Sequence, residues 1–174
     1  MNEAYQNLLD RRSCRKYQDT QVRAEELDAI LKAGTYAPTG ANRQTPLMVV
    51  VQSPELLRKI EKLNAIAAGN PEARTFYGAP TVVVVFGIRD SALSTADANL
   101  VIGNLLNAAN ALGVDSCYIW RAAESFDSPE GKELKARWGI PEEYVGVGNV
   151  ILGYGQPGGK GPAAPRKEGY VIRA

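Results

Sequence analysis

The chain has 174 residues, 20 basic and 19 acidic side chains and a net charge of +1, a balance that excludes a surface adapted as a whole to nucleic acid. It contains no histidine, which removes the commonest metal ligand and every Ser-His or Cys-His nucleophile pair. Its two cysteines, Cys14 and Cys117, lack CxxC spacing and are too few for a disulfide framework, so free thiols in a reducing compartment are expected.

In chain order, Tyr5, Leu8 and Leu9 have helical spacing within residues 2–10, and the segment Arg11-Arg12-Ser13-Cys14-Arg15-Lys16-Tyr17 follows at the helix exit. Leu27, Ile30 and Leu31 predict a helix over 23–33, which Gly34 ends. A loop with Pro38, Gly40 and Asn42 leads to a buried strand at 47–51. Ser53-Pro54-Glu55 then supplies a cap, a first-turn proline and an early acid for a helix to about residue 63. Gly69, Asn70, Pro71, Gly78 and Pro80 interrupt 64–80, which reads as a mobile or ligand-covering segment.

Residues 81–87 give the clearest central strand, and 94–112 the central buried helix, ended by Gly113. A short strand at 116–120, an amphipathic helix at 129–138 and a third apolar strand at 144–152 complete a body of helices over a mixed sheet. Residues 153–165 are too rich in Gly and Pro for a helix, yet Tyr170-Val171-Ile172 beyond them is strand-like. An arm that crosses a gap and docks is the reading adopted, with one domain over 1–174 and an extended arm over 153–174. The N-terminus lacks a secretory pattern and the run Val82 to Phe86 is far short of a membrane span, so a cytoplasmic protein without a membrane partner is expected.

Four cations and a hydroxyl within residues 11–17 are either solvated surface charge or an anion site. If an anion is bound, phosphate fits best, because arginine forks match its oxygens in pairs. A second basic stretch, Lys160, Arg166 and Lys167, could close on the same ligand. If the chain is an enzyme, the absence of histidine shifts the reactivity onto a cofactor that the protein positions and polarises.

These pieces occur in a particular order: residues 11–17; Ala37-Pro38-Thr39-Gly40-Ala41-Asn42-Arg43-Gln44; Gly78-Ala79-Pro80; Ala111-Leu112-Gly113 leading into Ser116-Cys117-Tyr118-Ile119-Trp120; and Leu152-Gly153-Tyr154 ahead of Pro165-Arg166-Lys167. In that order and spacing the chain resembles the nitroreductase family of FMN-dependent oxidoreductases over nearly its whole length. The resemblance implies an α+β three-layer sandwich and a homodimer with FMN sites at the interface, the C-terminal arm being exchanged with the partner. It also implies that Arg11 and Ser13 bind the FMN phosphate or ribityl chain, that Arg166 reaches the phosphate, and that Arg15 sits at the pyrimidine edge of the flavin. Arg12 belongs to the same cofactor-binding set as electrostatic support. Pro38, Thr39, Gly40 and Asn42 would come from the other subunit, and backbone amides near Trp120 and Arg121 would face flavin N5.

The chain departs from the family pattern at Gln44-Thr45-Pro46, where many members have Gln-Pro-Trp. It also has Trp120 where a small or acidic residue is common, and Ala164 where a lysine often precedes the late arginine. The implied function is hydride transfer from NADH or NADPH through flavin N5 to a small-molecule acceptor, nitroaromatic or quinone-like, with no catalytic side chain and no metal. The alternatives are a flavin reductase with a protein electron donor or one dedicated substrate, and a non-catalytic FMN-binding dimer.

Overall fold

The structure is a computed structural model that describes residues 2–174. The helices are α1 (Glu3–Asp10), α2 (Ala24–Thr35), α3 (Pro54–Ala67), α4 (Ala92–Ala111), α5 (Ala122–Asp127) and α6 (Pro129–Arg137). The strands are β1 (Leu47–Val51), β2 (Thr81–Ile88), β3 (Asp115–Ile119) and β4 (Tyr144–Gly153), in the spatial order β1-β2-β4-β3.

Side-chain alternation along β2 creates the layers. Val82, Val84 and Phe86 face one core with Ile60 and Leu63 of α3, Phe126 of α5 and Leu134 of α6. Val83 and Val85 face the other, with Leu27 and Ile30 of α2 and Val101, Ile102 and Leu105 of α4. Helices thus cover both faces, giving the expected α+β sandwich. Phe86 and Phe126 meet edge to face at 5.1 Å in the first core.

Local sequence sets the helix starts. Ser53, Ser91 and Ser128 each cap the helix that follows through a hydroxyl accepting a backbone N–H, and Pro54 and Pro129 occupy the first turns of α3 and α6. In β2 and β4 the register slips by one residue between Val85 and Phe86, so that Val147 bulges between Gly148 and Gly146. An added Cβ at Gly146 would lie 2.5 Å from the Ala122 carbonyl oxygen, and one at Gly148 would lie 2.3 Å from the Tyr118 ring. These glycines let β4 pass close to the end of β3.

The sheet is antiparallel at every strand pair rather than mixed, and its parallel element is an isolated bridge between Ser13 and Ser116. Unbroken apolar strands suggested parallel neighbours, but burial on both faces requires only two helical layers. Within residues 64–80, which the sequence reads as a mobile or ligand-covering segment, α3 runs on to Ala67, and Phe76 is buried with its N–H on Glu61 Oε1 at 2.8 Å. The short helix α5 was missed, because six residues cannot display a helical period. Within this chain the arm beyond Lys160 is exposed, and Tyr170-Val171-Ile172 forms no strand.

Candidate functional site

The segment 11–17 lies along the start of β3. Cys14 N donates to Ser116 O at 3.0 Å, Arg15 N to Gly159 O at 2.8 Å, and Gln156 N to Lys16 O at 2.9 Å. The far side of this small pairing is the beginning of the Gly-rich arm. Asp115 ties the pieces together, accepting Gly155 N at 2.9 Å and pairing with Lys160 at 2.6 Å. Lys160 is thus neutralised by Asp115 rather than left for a ligand.

Arg11, Arg12, Arg15 and Lys16 are different: among the described residues none of them forms an ion pair. Arg12 Nη1 donates to Leu9 O and Arg11 O, each at 2.7 Å, and so closes the C-terminus of α1. Arg11 and Ser13 are half-buried, and Arg15 is exposed. Three guanidinium groups without carboxylate partners beside a serine suit an anion. Arg166 is not brought to this cluster within the chain, since its guanidinium bonds the carbonyl of its own neighbour Ala164.

At the other end of β3 the chain leaves the sheet through Trp120 and Arg121. Trp120 is 61% exposed, and its ring lies 6.2 Å from that of Tyr118. Arg121 has φ +75°, the left-handed region, and heads α5. Its Nη1 bonds Glu124 Oε1 at 2.7 Å, which holds the Glu124 carboxyl below its ordinary pKa. Among the described residues, the backbone N–H groups of Trp120 and Arg121 donate to no acceptor. A cavity of about 210 Å³ opens here, lined by Thr95, Asn99, Trp120, Arg121, Val145 and Val147 among others.

The loop with Pro38, Thr39, Gly40 and Asn42 sits elsewhere, against α4. Gly40 N donates to both carboxylate oxygens of buried Asp97, at 3.1 and 3.2 Å. Ala41, Asn42 and Gln44 all have positive φ, and the loop closes internally through Thr39 Oγ1 on Gln44 N and Gln44 Nε2 on Asn42 Oδ1. Among the described residues no hydrogen bond joins this loop to residues 11–15 of the same chain.

Both cysteines are buried, and burial pushes the Cys14 thiol pKa up, away from thiolate reactivity. The neighbouring Tyr17 hydroxyl is buried without a partner, and burial raises its pKa as well. Asn70 exposes its side chain and accepts Glu72 N at 3.3 Å, shaping a turn. Four polar residues were not singled out in the sequence: Asn64, Asp97, Asp115 and Asn149. Asn64 did leave a signal, as a polar side chain next to Ile60 and Leu63 on the buried face of α3. Among the described residues no helix is long and apolar enough to cross a membrane, and no group of acidic or thiol side chains could hold a metal.

Known proteins are similar to this chain in sequence and in fold. The family model described as the nitroreductase family matches residues 8–154. A protein of Archaeoglobus fulgidus, provisionally named NADH dehydrogenase/NAD(P)H nitroreductase, is 32% identical over 161 residues, covering 88% of this chain and 86% of its own length. A Bacteroides fragilis nitroreductase crystallised with bound FMN superposes with a TM-score of 0.89 at 30% identity, covering all of both chains. An FMN-bound nitroreductase of Desulfitobacterium hafniense does so with a TM-score of 0.87 at 29% identity, again over all of both chains. Sequence and fold agree over nearly the whole chain, and on that agreement the chain belongs to the nitroreductase family.

Proposed function

We propose that this chain is an FMN-dependent NAD(P)H oxidoreductase that passes hydride from NADH or NADPH to a small oxidised acceptor, nitroaromatic or quinone-like. The observation that carries this reading is the pairing, on one edge strand, of unneutralised arginines at one end with two unpartnered backbone N–H groups at the other. FMN has matching ends, a phosphate dianion and a ring whose N5 accepts a hydrogen bond. FMN, when bound, would supply the atom that accepts and donates hydride, a two-electron chemistry that no side chain of this chain provides. The bound FMN of the two superposed structures supports the same cofactor here.

In this reading Arg11 and Ser13 hold the phosphate or ribityl chain, with Arg12 adding positive potential while its Nη1 stays on the α1 terminus. Arg15 stands at the pyrimidine edge, where a cation favours negative charge on the ring. The N–H groups of Trp120 and Arg121 face N5. Pro38, Thr39, Gly40 and Asn42 serve the site of a second subunit, which accounts for their separation from residues 11–15 within one chain. Arg166 likewise reaches a phosphate only after the arm leaves its own body. The functional unit is therefore a homodimer of single-domain subunits with the arm at 153–174 exchanged. Two free buried thiols support a reducing, cytoplasmic setting.

The test is an absorbance titration of purified protein with FMN, then anaerobic NADH and NADPH. Flavin bands that bind and then bleach are expected. A protein that takes up FMN but is reduced by neither nicotinamide would overturn the donor assignment, and one that takes up no FMN would overturn the whole reading.

A further inference from the structure

The exit of β3 is held by two buried amides. Asn64 Nδ2 donates to Trp120 O at 2.6 Å, and Asn149 Nδ2 lies 3.4 Å from Ile119 O. A trans peptide is planar, with its C=O and the following N–H on opposite sides. Holding the Trp120 carbonyl therefore turns the Arg121 N–H away from Asn64, and holding the Ile119 carbonyl turns the Trp120 N–H away from Asn149. Neither of these two N–H groups finds an acceptor among the described residues.

The arrangement is not what the backbone would choose unaided. Arg121 has φ +75°, unfavourable for a side chain with a Cβ. Flipping the peptide between Trp120 and Arg121 would change that φ and relieve it, because Arg121 O is already fixed by Ser125 N at 3.0 Å and Ser125 Oγ at 2.6 Å on the α5 side. The bond from Asn64 opposes the flip. Asn149 is fully buried in β4, and its Oδ1 has no partner. A valine there would avoid burying an unpaired acceptor, so packing alone does not account for the residue.

We propose that Asn64 and Asn149 are positioning residues that lock two consecutive peptide units at the end of β3, keeping the Trp120 and Arg121 N–H groups turned toward flavin N5. The proposal rests on the FMN reading above. Neither amide titrates, so the lock is independent of pH.

The experiment compares the full-length protein with Asn64→Leu and Asn149→Val. Without flavin, a single backbone amide resonance is expected for Arg121 in the starting protein, with broadening or doubling in Asn64→Leu as the peptide samples both orientations. With FMN, the variant should bind within about threefold of the original affinity, because the phosphate end is untouched. Its visible flavin band should shift, and its reduction at saturating NAD(P)H should slow on the order of tenfold with KM unchanged. Asn149→Val should show the same changes, smaller, as its longer contact implies. Folded variants with the original amide resonance, flavin band and reduction rate would overturn the proposal. Should Asn64→Leu not fold, Asn64→Ala removes the donor without added bulk and carries the same expectations. Failure of the FMN reading is distinguishable: the starting protein would then show no flavin band at all, while the amide resonance still decides whether the peptides are locked.

Discussion

The two ends of β3 are built on opposite principles. At its start, function is assigned to side chains: Arg11, Ser13 and Arg15 lie close together in sequence, and a small pairing between residues 13–17, Ser116 and the Gly-rich segment presents them. At its end, function is assigned to backbone N–H groups, and the side chains that matter come from Asn64 and Asn149, distant in sequence and buried. Under the proposed reading the site is local and charged at one end, and dispersed and neutral at the other. The first end should respond mainly in affinity, the second in stability and rate.

The largest effect is expected from Arg11→Ala with Arg166→Ala. Losing two charge-assisted contacts to a phosphate should weaken FMN binding by about 100-fold or more, read by quenching of flavin fluorescence, with little change in folding stability. An unchanged dissociation constant would dismantle the assignment of the first end.

Next is Gly146→Ala. Its Cβ would press on the Ala122 carbonyl at 2.5 Å, and because that contact is backbone it would push the head of α5 and Arg121 out of place. A loss of about 2–3 kcal/mol in urea unfolding is expected. Gly155→Ala makes the matching intrusion at the first end, 2.3 Å from Asp115 Oδ2, but there the neighbour is a side chain that can rotate. A melt in which Gly155→Ala costs more than Gly146→Ala would reverse the comparison.

Asp115→Asn is a milder probe. It removes the ion pair with the half-exposed Lys160 while keeping the shape, so roughly 0.5–1 kcal/mol of stability should go. The freed Lys160 leaves the first end more positive, and FMN affinity should hold or rise slightly. A marked fall in affinity would show that Asp115 orders the cluster through more than charge.

The smallest effect concerns acid. Arg121 beside Glu124, Arg89 beside Asp127 and Arg23 beside Glu26 each hold the carboxylate below its ordinary pKa. A carboxylate whose native pKa is lowered stabilises the fold fully above its unfolded value of about 4, and that stabilisation is lost as pH falls through the native value. Thermal midpoints should therefore fall below about pH 5. Glu124→Gln should remove part of this slope, and an unchanged slope would mean that the Arg121 pair is not maintained in solution.

The sequence made the first end easy to find, because cations packed into one short segment stand out in a nearly neutral chain. Ser-Pro-Glu at 53–55 placed the start of α3 correctly, and the apolar run at 81–87 identified the central strand. The antiparallel register was not legible, since doubly covered strands of either direction have the same composition. Asn64 was passed over because a helix face tolerates one polar residue without losing its period, and Asn149 because its run Val147 to Leu152 reads as strand whether or not one member is an amide. Arg121 shows no signal of its left-handed conformation, which glycine or asparagine would have betrayed. What escaped was the part of the proposed site that only tertiary contact assembles.

A β-strand is stiff, and four residue steps lead from Ser116, beside the arginines, to Trp120, so the two ends lie roughly 13 Å apart at about 3.3 Å per residue. Under the proposed reading β3 acts as a ruler. A ligand must offer its anion and its ring at that fixed spacing to use both ends, so riboflavin, which has the ring without the phosphate, engages only one and should be discriminated against by length as much as by charge.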